Sequence, residues 1–423
     1  MNTGKEFLGF NRKMLLHIAI LYAGIWAGLI ISPYVFVAVA GFAVITAVFK
    51  GNDFTFYHLF FLLPFTTILK LSPKSTSIFA YLMIATAAIL ILKQRRIQKV
   101  PIILIMLFFA YAALGMGDNY TTVFKMVAGL LLLYVFVAKT RPCEFKNHIM
   151  AYSLGMLGSS VIGTLKESWS RLTPYFVDLH QVYLDEEIAT RFTGLNYDPN
   201  YYSVGVIIAI FLMIRLLFNK DGNKFFLISL ITTLVVFGFI SYSKMFLLVI
   251  LLLGIICAFH RMKTGKQLLF TLISAAVIIF VFYKWANSSG YISAMNKRLF
   301  GGDISTGRLS IWKDYLDYIW NSPKTLFFGE GLGASYYKSV GPHNAYIELV
   351  YFFGVFCSWF FVAPIAYIMK KSSVLKRRKF FDIALLILFF TTISFLGMVT
   401  VNELMFYFML VWVSMNMGKD GTS

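Results

Sequence analysis

The sequence predicts an all-α polytopic integral membrane protein, with about fourteen transmembrane helices in one membrane domain spanning residues 1–423. Three observations lead there. Hydrophobic residues make up 59% of the chain and charged residues 13%, against roughly 25% charged in a soluble domain. Apolar runs of about twenty residues recur from end to end, each long enough to cross about 30 Å of hydrocarbon as a helix. Lipid offers no partner to an unpaired peptide group, so helix is the default, and the alternating pattern of a membrane barrel is missing.

In order, the spans fall near 14–31, 33–49, 54–71, 78–92, 100–116, 123–138, 148–165, 200–218, 225–241, 245–260, 268–285, 344–369, 380–399 and 402–417. Lys5, Arg12 and Lys13 precede the first, and no small-residue cleavage site follows it, which predicts a retained signal-anchor. The formal charge of +19 does not point to nucleic acid, because the positive residues sit in short connectors. These are "KQRRIQK" (93–99), "KTRPCEFK" (139–146), "RMKTGK" (261–266) and "KKSSVLKRRK" (370–379). All four fall on one side of the predicted topology. That side is therefore cytoplasmic and holds both termini, and the runs face anionic inner-leaflet headgroups. Cys143, Cys257 and Cys357 have no disulfide or metal spacing and read as small core fillers.

Two connectors exceed the length of about 15 residues beyond which loops are usually functional or disordered. They span 166–199 and 286–343, and both emerge on the outer side. Being rich in Trp, Tyr, Leu and Phe, they are expected to fold back over the bundle as a cap. The first carries three basic residues (Lys166, Arg171, Arg191) and six acidic ones, a net of −3. It ends in "ATRFTGLNYDPNYYS" (189–203), where Arg191 precedes turns and the next span opens near Asn200. No D-x-D pair is present, so no metal site is expected.

The second contains "DISTGRLSIWKDYLDYIWNSP" (303–323). Leu309, Trp312, Leu316 and Ile319 recur at helical spacing, with Lys313, Asp314 and Asp317 on the other face. Ser305 or Thr306 offers an N-cap and Pro323 a stop, which predicts an amphipathic helix on the outer membrane face. Arg308 lies in its first turn, the wrong end of the helix dipole for a cation unless an anion is near. It is either a phosphate ligand or an arginine reaching for headgroups. Lys244, in "SYSKMFLL" at an outer junction, has the same two readings.

"GPHNAYIELVYFFG" (341–354) places polar groups at the mouth of a span. His343 has an ordinary pKa of about 6.5 and can serve as a base at neutral pH. Asn344 and Glu348 are four apart, on one helical face about a turn away. The bland reading is a histidine near a helix cap at headgroup level.

Four stretches together, "RFTGLNYDPNYYS", "SYSKMFLL", "GRLSIWKDYLDYIWNSPKTLFFGEGLG" and "PHNAYIELVYFFG", resemble the O-antigen polymerase and O-antigen ligase superfamily. The likeness covers about residues 189 to 356 and includes a His-Asn, nine residues, Gly pattern at His343, Asn344 and Gly354. Two departures stand out. Ser243-Lys244 replaces the Ser-Arg common in the family, and "GVFCSW" replaces the Thr-rich continuation of some ligases, which favours polymerase.

The resemblance implies a glycosyltransferase C-like fold and an active site on the outer (periplasmic) face of the inner membrane. It implies transfer of a glycan from an undecaprenyl-diphosphate-linked oligosaccharide donor to the next lipid-linked repeat unit. The product would be O-antigen, capsule or exopolysaccharide, with a flippase and a chain-length regulator as partners. On that scheme His343 is the general base, and Arg191 and Arg308 clamp the diphosphate. Lys244, Asn344 and Glu348 serve orientation or substrate contact, and Trp312 and Tyr315 either stack on sugar faces or anchor at the membrane interface. No metal and no cofactor is required. The rivals are ligase-type transfer to a terminal acceptor and a flippase of the same lipid. A peptidoglycan-type polymerase would rely instead on an outer aspartate, Asp198.

Overall fold

A computed structural model describes residues 6–94, 97–166, 168–176, 191–261, 307–370, 380–394, 396–399, 401 and 403–417, with positions 284 and 287. A two-residue hairpin, β1 (Glu6–Phe7) with β2 (Phe10–Asn11), precedes a chain of helices. These are α1 (Arg12–Ile30), α2 (Val35–Phe49), α3 (Asn52–Leu62), α4 (Ile78–Leu92), α5 (Lys99–Leu114), α6 (Tyr120–Lys139), α7 (Phe145–Gly163) and α8 (Pro199–Asn219). There follow α9 (Lys224–Ile240), α10 (Lys244–Arg261), α11 (Arg308–Asn321), α12 (Pro323–Phe328), α13 (Ala345–Lys370), α14 (Phe380–Ile393) and α15 (Glu403–Asn416). Four of them, α1, α6, α8 and α13, are long and apolar enough to cross a membrane, and shorter apolar helices accompany them. The architecture is that of an all-α membrane protein.

Burial separates the centre from the rim. The apolar stretch of α8 is 78% buried inside the protein and that of α1 only 33%. Leu16, Ile20, Val37, Ile45 and Phe49 are exposed on α1 and α2, as expected of helices that face lipid. The N-terminus of α8 therefore lies in the middle of one end of the bundle.

Three predicted elements need correction or limits. Over 54–71 the α-helix stops at Leu62, and a 3₁₀ turn follows at Leu63–Phe65. Pro64 lacks the amide a helix would use there. Pro323 does not merely stop α11; it is the first residue of α12, where its missing N–H costs nothing. The predicted span at 268–285 lies outside the described residues.

Hydrogen bonds gather the connectors into two sets at opposite ends. At one end, Asn223 N donates to Leu8 O, Asn11 N to Asn147 Oδ1 at 3.0 Å and Lys93 Nζ to Ala47 O at 2.8 Å. Lys146 pairs with Glu6 and Arg141 with Asp53. At the other, the cap end, Lys70 Nζ donates to Tyr197 OH at 2.9 Å and Ser77 Oγ to Thr66 O at 2.7 Å. Gly333 N donates there to Gly115 O at 2.7 Å, and Asn119 Nδ2 to Leu332 O at 2.6 Å. The end of α4 and the start of α7, which carry parts of two basic runs, share the first end with the N-terminal hairpin.

Helix α13 is broken. Gly354 has φ +64° and ψ 175°, and a Cβ there would sit 2.3 Å from the Phe327 carbonyl carbon. Gly329, with φ +75°, meets the Phe352 backbone at 2.4 Å in the same way. The break turns the Tyr351 and Phe352 carbonyls outward, and Glu330 N and Gly331 N donate to them at 2.8 and 2.9 Å. The peptide groups a kink would leave unpaired are thereby satisfied inside the protein, as the apolar surroundings demand.

Candidate active site

The start of α8 is the hub of the cap end. Asp198 is its N-cap, accepting from Asn200 N at 2.5 Å, and Pro199 is its first residue. Asn200 Oδ1 accepts from Ser243 Oγ at 3.0 Å, and the Ser203 and Ser241 hydroxyls bond at 3.0 Å. Arg191 Nε donates to Ser241 O at 3.1 Å, and Phe192 N to Ile240 O. These bonds tie the α9–α10 turn, with Arg191 beside it and Lys244 at its end, to the first turn of α8.

The amphipathic helix α11 docks on the turn before α13. Its buried face carries Tyr315 and Ile319, and Trp312 is half-buried beside them. Trp312 Nε1 donates to Pro342 O at 2.8 Å, and Tyr315 OH to Val340 O at 2.6 Å. Leu309, Leu316 and Trp320 are exposed on the other side. His343 follows with φ +48°, a left-handed conformation uncommon outside glycine but one that histidine adopts more readily than most residues. Asn344 Oδ1 then caps α13, accepting from Tyr346 N at 2.9 Å and Ile347 N at 3.2 Å.

Glu348 is 0% exposed and works as a strut. Its Oε1 accepts from Tyr336 OH at 2.7 Å and its Oε2 from Val399 N at 2.9 Å, and the carboxylate packs on Gly397. Tyr201, in the first turn of α8, donates its hydroxyl to Gly397 O. The segment 397–399 is thus held between α8 and α13.

His343 and Arg308 lie within electrostatic reach of one another beside this scaffold. Burial, then the Arg308 guanidinium, hold His343 below its ordinary value, with Asp198 pulling the other way. Burial lowers Arg308 as well, opposed by Asp198 and Tyr201; a guanidinium stays charged regardless. Among the described residues, no hydrogen bond reaches the His343 ring or the Arg308 guanidinium. Of the residues around them, Trp312, Tyr315 and Asn344 are bonded to backbone, and Glu348 to Val399 N and the Tyr336 hydroxyl. The scaffold groups are engaged, whereas the His343 ring and the Arg308 guanidinium keep their donors and acceptors available among the described residues.

The expected site residues thus divide. His343, Arg308, Trp312, Asn344 and Glu348 come together around the 336–348 segment. Arg191 and Lys244 reach the same hub from the other side of α8, through Ser241 and Ser243. Tyr315 is 1% exposed, with its ring against Tyr337 and Tyr351, so it belongs to the packing and offers no open face to a sugar. Asn344 Oδ1 accepts from two backbone amides, and the Glu348 carboxylate from Val399 N and Tyr336 OH, so both hold the local fold. Asp198 belongs with His343 and Arg308 by its electrostatic reach to both.

Two further charged groups escaped the reading of the sequence. Lys125 on α6 and Glu403 on α15 influence one another inside the bundle, and Thr66 Oγ1 donates to Glu403 at 3.4 Å. Both lie within predicted spans, where an ionisable residue is itself a signal. Tyr201 lies within the influence of Glu348, Asp198 and Glu403 together. Among the described residues, no group of three or more His, Cys, Asp or Glu side chains is placed to hold a metal ion.

Compared with family models, with curated proteins and with solved structures, the chain matches none.

Proposed function

We propose that this protein polymerises undecaprenyl-diphosphate-linked oligosaccharide repeat units into a cell-surface polysaccharide. On this reading the chain has about fourteen spans in a glycosyltransferase C-like arrangement. The cap end faces the outer side of the cytoplasmic membrane, and the basic connectors and termini face the cytoplasm. The observation that carries the reading is the pairing of His343 with Arg308. A base kept neutral at physiological pH lies near a fixed cation, both half-buried, on a rigid scaffold at the mouth of a membrane helix.

The chemistry follows from that pairing. The acceptor hydroxyl oxygen attacks the anomeric carbon of the donor and forms the new glycosidic C–O bond. The bond from that carbon to the diphosphate oxygen breaks, and undecaprenyl diphosphate leaves with the electron pair. The hydroxyl proton passes to His343 Nδ1 or Nε2. Arg308 stabilises charge growing on the diphosphate, with Arg191 and Lys244 as further cations at the same hub. Asp198 orients the pair by its opposite charge. A single displacement inverts the anomeric centre.

Incubation of the purified protein with a lipid-diphosphate-linked repeat unit tests this. The expected product is a ladder of glycans, lost in His343→Ala and in Arg308→Ala while each variant remains inserted and folded. A fully active His343→Ala protein would remove the base assignment. A single product per acceptor would favour ligase-type transfer, and movement of the lipid across the bilayer without any new glycan would favour a flippase.

A further inference from the structure

Helix α11 presents three faces, and the reaction above uses only one. At about 100° per residue, Arg308, Trp312, Tyr315 and Ile319 fall within about 60° of one another. This is the docked face: Trp312 and Tyr315 bond to the Pro342 and Val340 carbonyls, and Tyr315 and Ile319 are buried. Ser310, Asp314, Asp317 and Asn321 form a second, polar face, on which Asp314 pairs with Lys338 at 2.8 Å. Leu309, Leu316 and Trp320 form the third, within about 40° of one another. They are 63%, 53% and 77% exposed. The apolar face expected of this helix is thus divided by the fold: Trp312 and Ile319 turn inward, and Leu309 and Leu316 turn outward with Trp320.

Position, charge and size all favour lipid as the cover of that outward stripe. Phe327 and Phe328, 40% and 54% exposed at the end of α12, lie against Phe356 of α13 with ring centroids 5.1 and 6.3 Å away. Phe356 and Trp359 are themselves 56% and 63% exposed, on a helix long and apolar enough to cross a membrane. Only Ser322 separates α11 from α12, so the lipid-facing end of α12 holds α11 at the membrane boundary. Lys313 lies between the stripe and the polar face, where its stem can follow the stripe and its ammonium meet anionic headgroups. Asp314 and Asp317 lie beyond it, away from the stripe. A second protein is a poor cover, because three side chains fall well short of the roughly 800 Å² per partner of a specific interface.

We propose that lipid of the cap-side leaflet covers Leu309, Leu316 and Trp320, and that this seat holds Arg308 at the level of the lipid phosphates. Arg308 leaves the helix about 100° from the centre of the stripe. A helix seated in the headgroup region therefore directs the guanidinium along the membrane surface, to the side where His343 lies. The first part of the proposal needs only a membrane. The second rests on the function proposed above, because it places Arg308 where the diphosphate of a lipid-linked substrate leaves the bilayer.

Spin labels on single cysteines test the seat in the full chain, held in nanodiscs of phosphatidylcholine and phosphatidylglycerol, with Cys143, Cys257 and Cys357 replaced by alanine. Oxygen collects in lipid, and a nickel chelate stays in water. Labels at Leu309→Cys, Leu316→Cys and Trp320→Cys are expected to show an oxygen-to-nickel collision ratio severalfold above labels at Ser310→Cys, Asp317→Cys and Asn321→Cys. Equal ratios on the two faces would overturn the seat, and a stripe shielded from both reagents would replace lipid by a protein cover. Without any label, bromine on the acyl chains should quench a component of the fluorescence that Trp320→Phe removes. Identical quenching in the two proteins would also overturn the seat. For Arg308, the combined changes Leu309→Ser, Leu316→Ser and Trp320→Ser are expected to lower the ladder rate by about 10²-fold, as a small misplacement of a reacting group does. The combination Leu309→Ile, Leu316→Ile and Trp320→Phe should restore it. An unchanged ladder in the serine variant would overturn the positioning of Arg308. The spectroscopy uses no glycan, so a wild type that makes no ladder would break the proposed function and leave the seat standing.

Discussion

Each end of the bundle holds a histidine, an arginine and an aspartate within electrostatic reach of one another, and the two ends use them differently. At the cap end, His343 sits on a left-handed turn, half-buried, with its ring unbonded among the described residues. At the other end, His148 lies within the first turn of a helix, fully buried, with Nδ1 fixed by its own helix backbone. Arg308 approaches from a separate amphipathic helix, whereas Arg141 belongs to the same connector as its partner Glu144. The lesson is that residue type does not distinguish the proposed reacting site from a structural one. What distinguishes them is whether the hydrogen-bonding capacity of the side chains is already taken up by the fold.

The sharpest way to break this comparison is to substitute the two histidines in parallel. His343→Ala should lower polymerisation by about 10²–10⁴-fold, the usual contribution of a general base, while His148→Gln leaves the rate within experimental error. Equal losses in the two would show that both histidines serve the fold.

A second distinction is the pH profile. In the proposed reaction His343 takes the proton only when neutral, and burial and Arg308 hold its value below 6.5. The rate should therefore be level at neutral pH and fall about tenfold per unit only on the acid side of that value. An inflection above 6.5 in the rate on a non-ionising acceptor would contradict the assignment.

Smaller effects test the scaffold. Gly354→Ala places a Cβ against the Phe327 carbonyl at φ +64°, and the backbone conformation alone should cost about 1–3 kcal/mol in thermal stability. Glu348→Ala removes the acceptor of Val399 N and Tyr336 OH and should cost about 1–3 kcal/mol. Glu348→Gln keeps an acceptor and should lose less. If Glu348→Gln melts like the wild type yet makes no ladder, the carboxylate is acting in the reaction and not as a strut.

Much of the cap end was legible in the sequence because its cues are local. The helical spacing of Leu309 to Ile319 marked α11, and the Asp-Pro and Gly-Pro pairs marked the starts of α8 and α13. The missing parts depend on distant partners. Glu348 read as an unexplained intramembrane acid because Val399, which bonds it, is 51 residues away. Gly354 read only as the last position of a spaced pattern with His343 and Asn344, and the approach of the Phe327 backbone gives it a physical purpose. The predicted cap at Ser305 or Thr306 lies outside the described residues, and Gly307, at φ +77°, precedes the helix. Gly354 stands with Gly331 and Gly333 at this break. Their shared physical role is close backbone approach, to Phe327 for the first and to Gly115 and Gly117 for the others.

The broken helix also bears on how this end assembles. Glu330 N to Tyr351 O and Gly331 N to Phe352 O close a ring of backbone that contains His343. With α11 and α12 packed on the same helix, nearly every bond that shapes the histidine turn joins residues of the 308–354 segment. Contacts so near in sequence carry a small loop-closure cost and form quickly. The bonds to Gly115, Leu332's partner Asn119 and Val399 span far longer stretches and belong to a later, slower docking. The geometry of His343 is therefore set by a unit of low contact order, which can reach its shape before the bundle that it caps has closed.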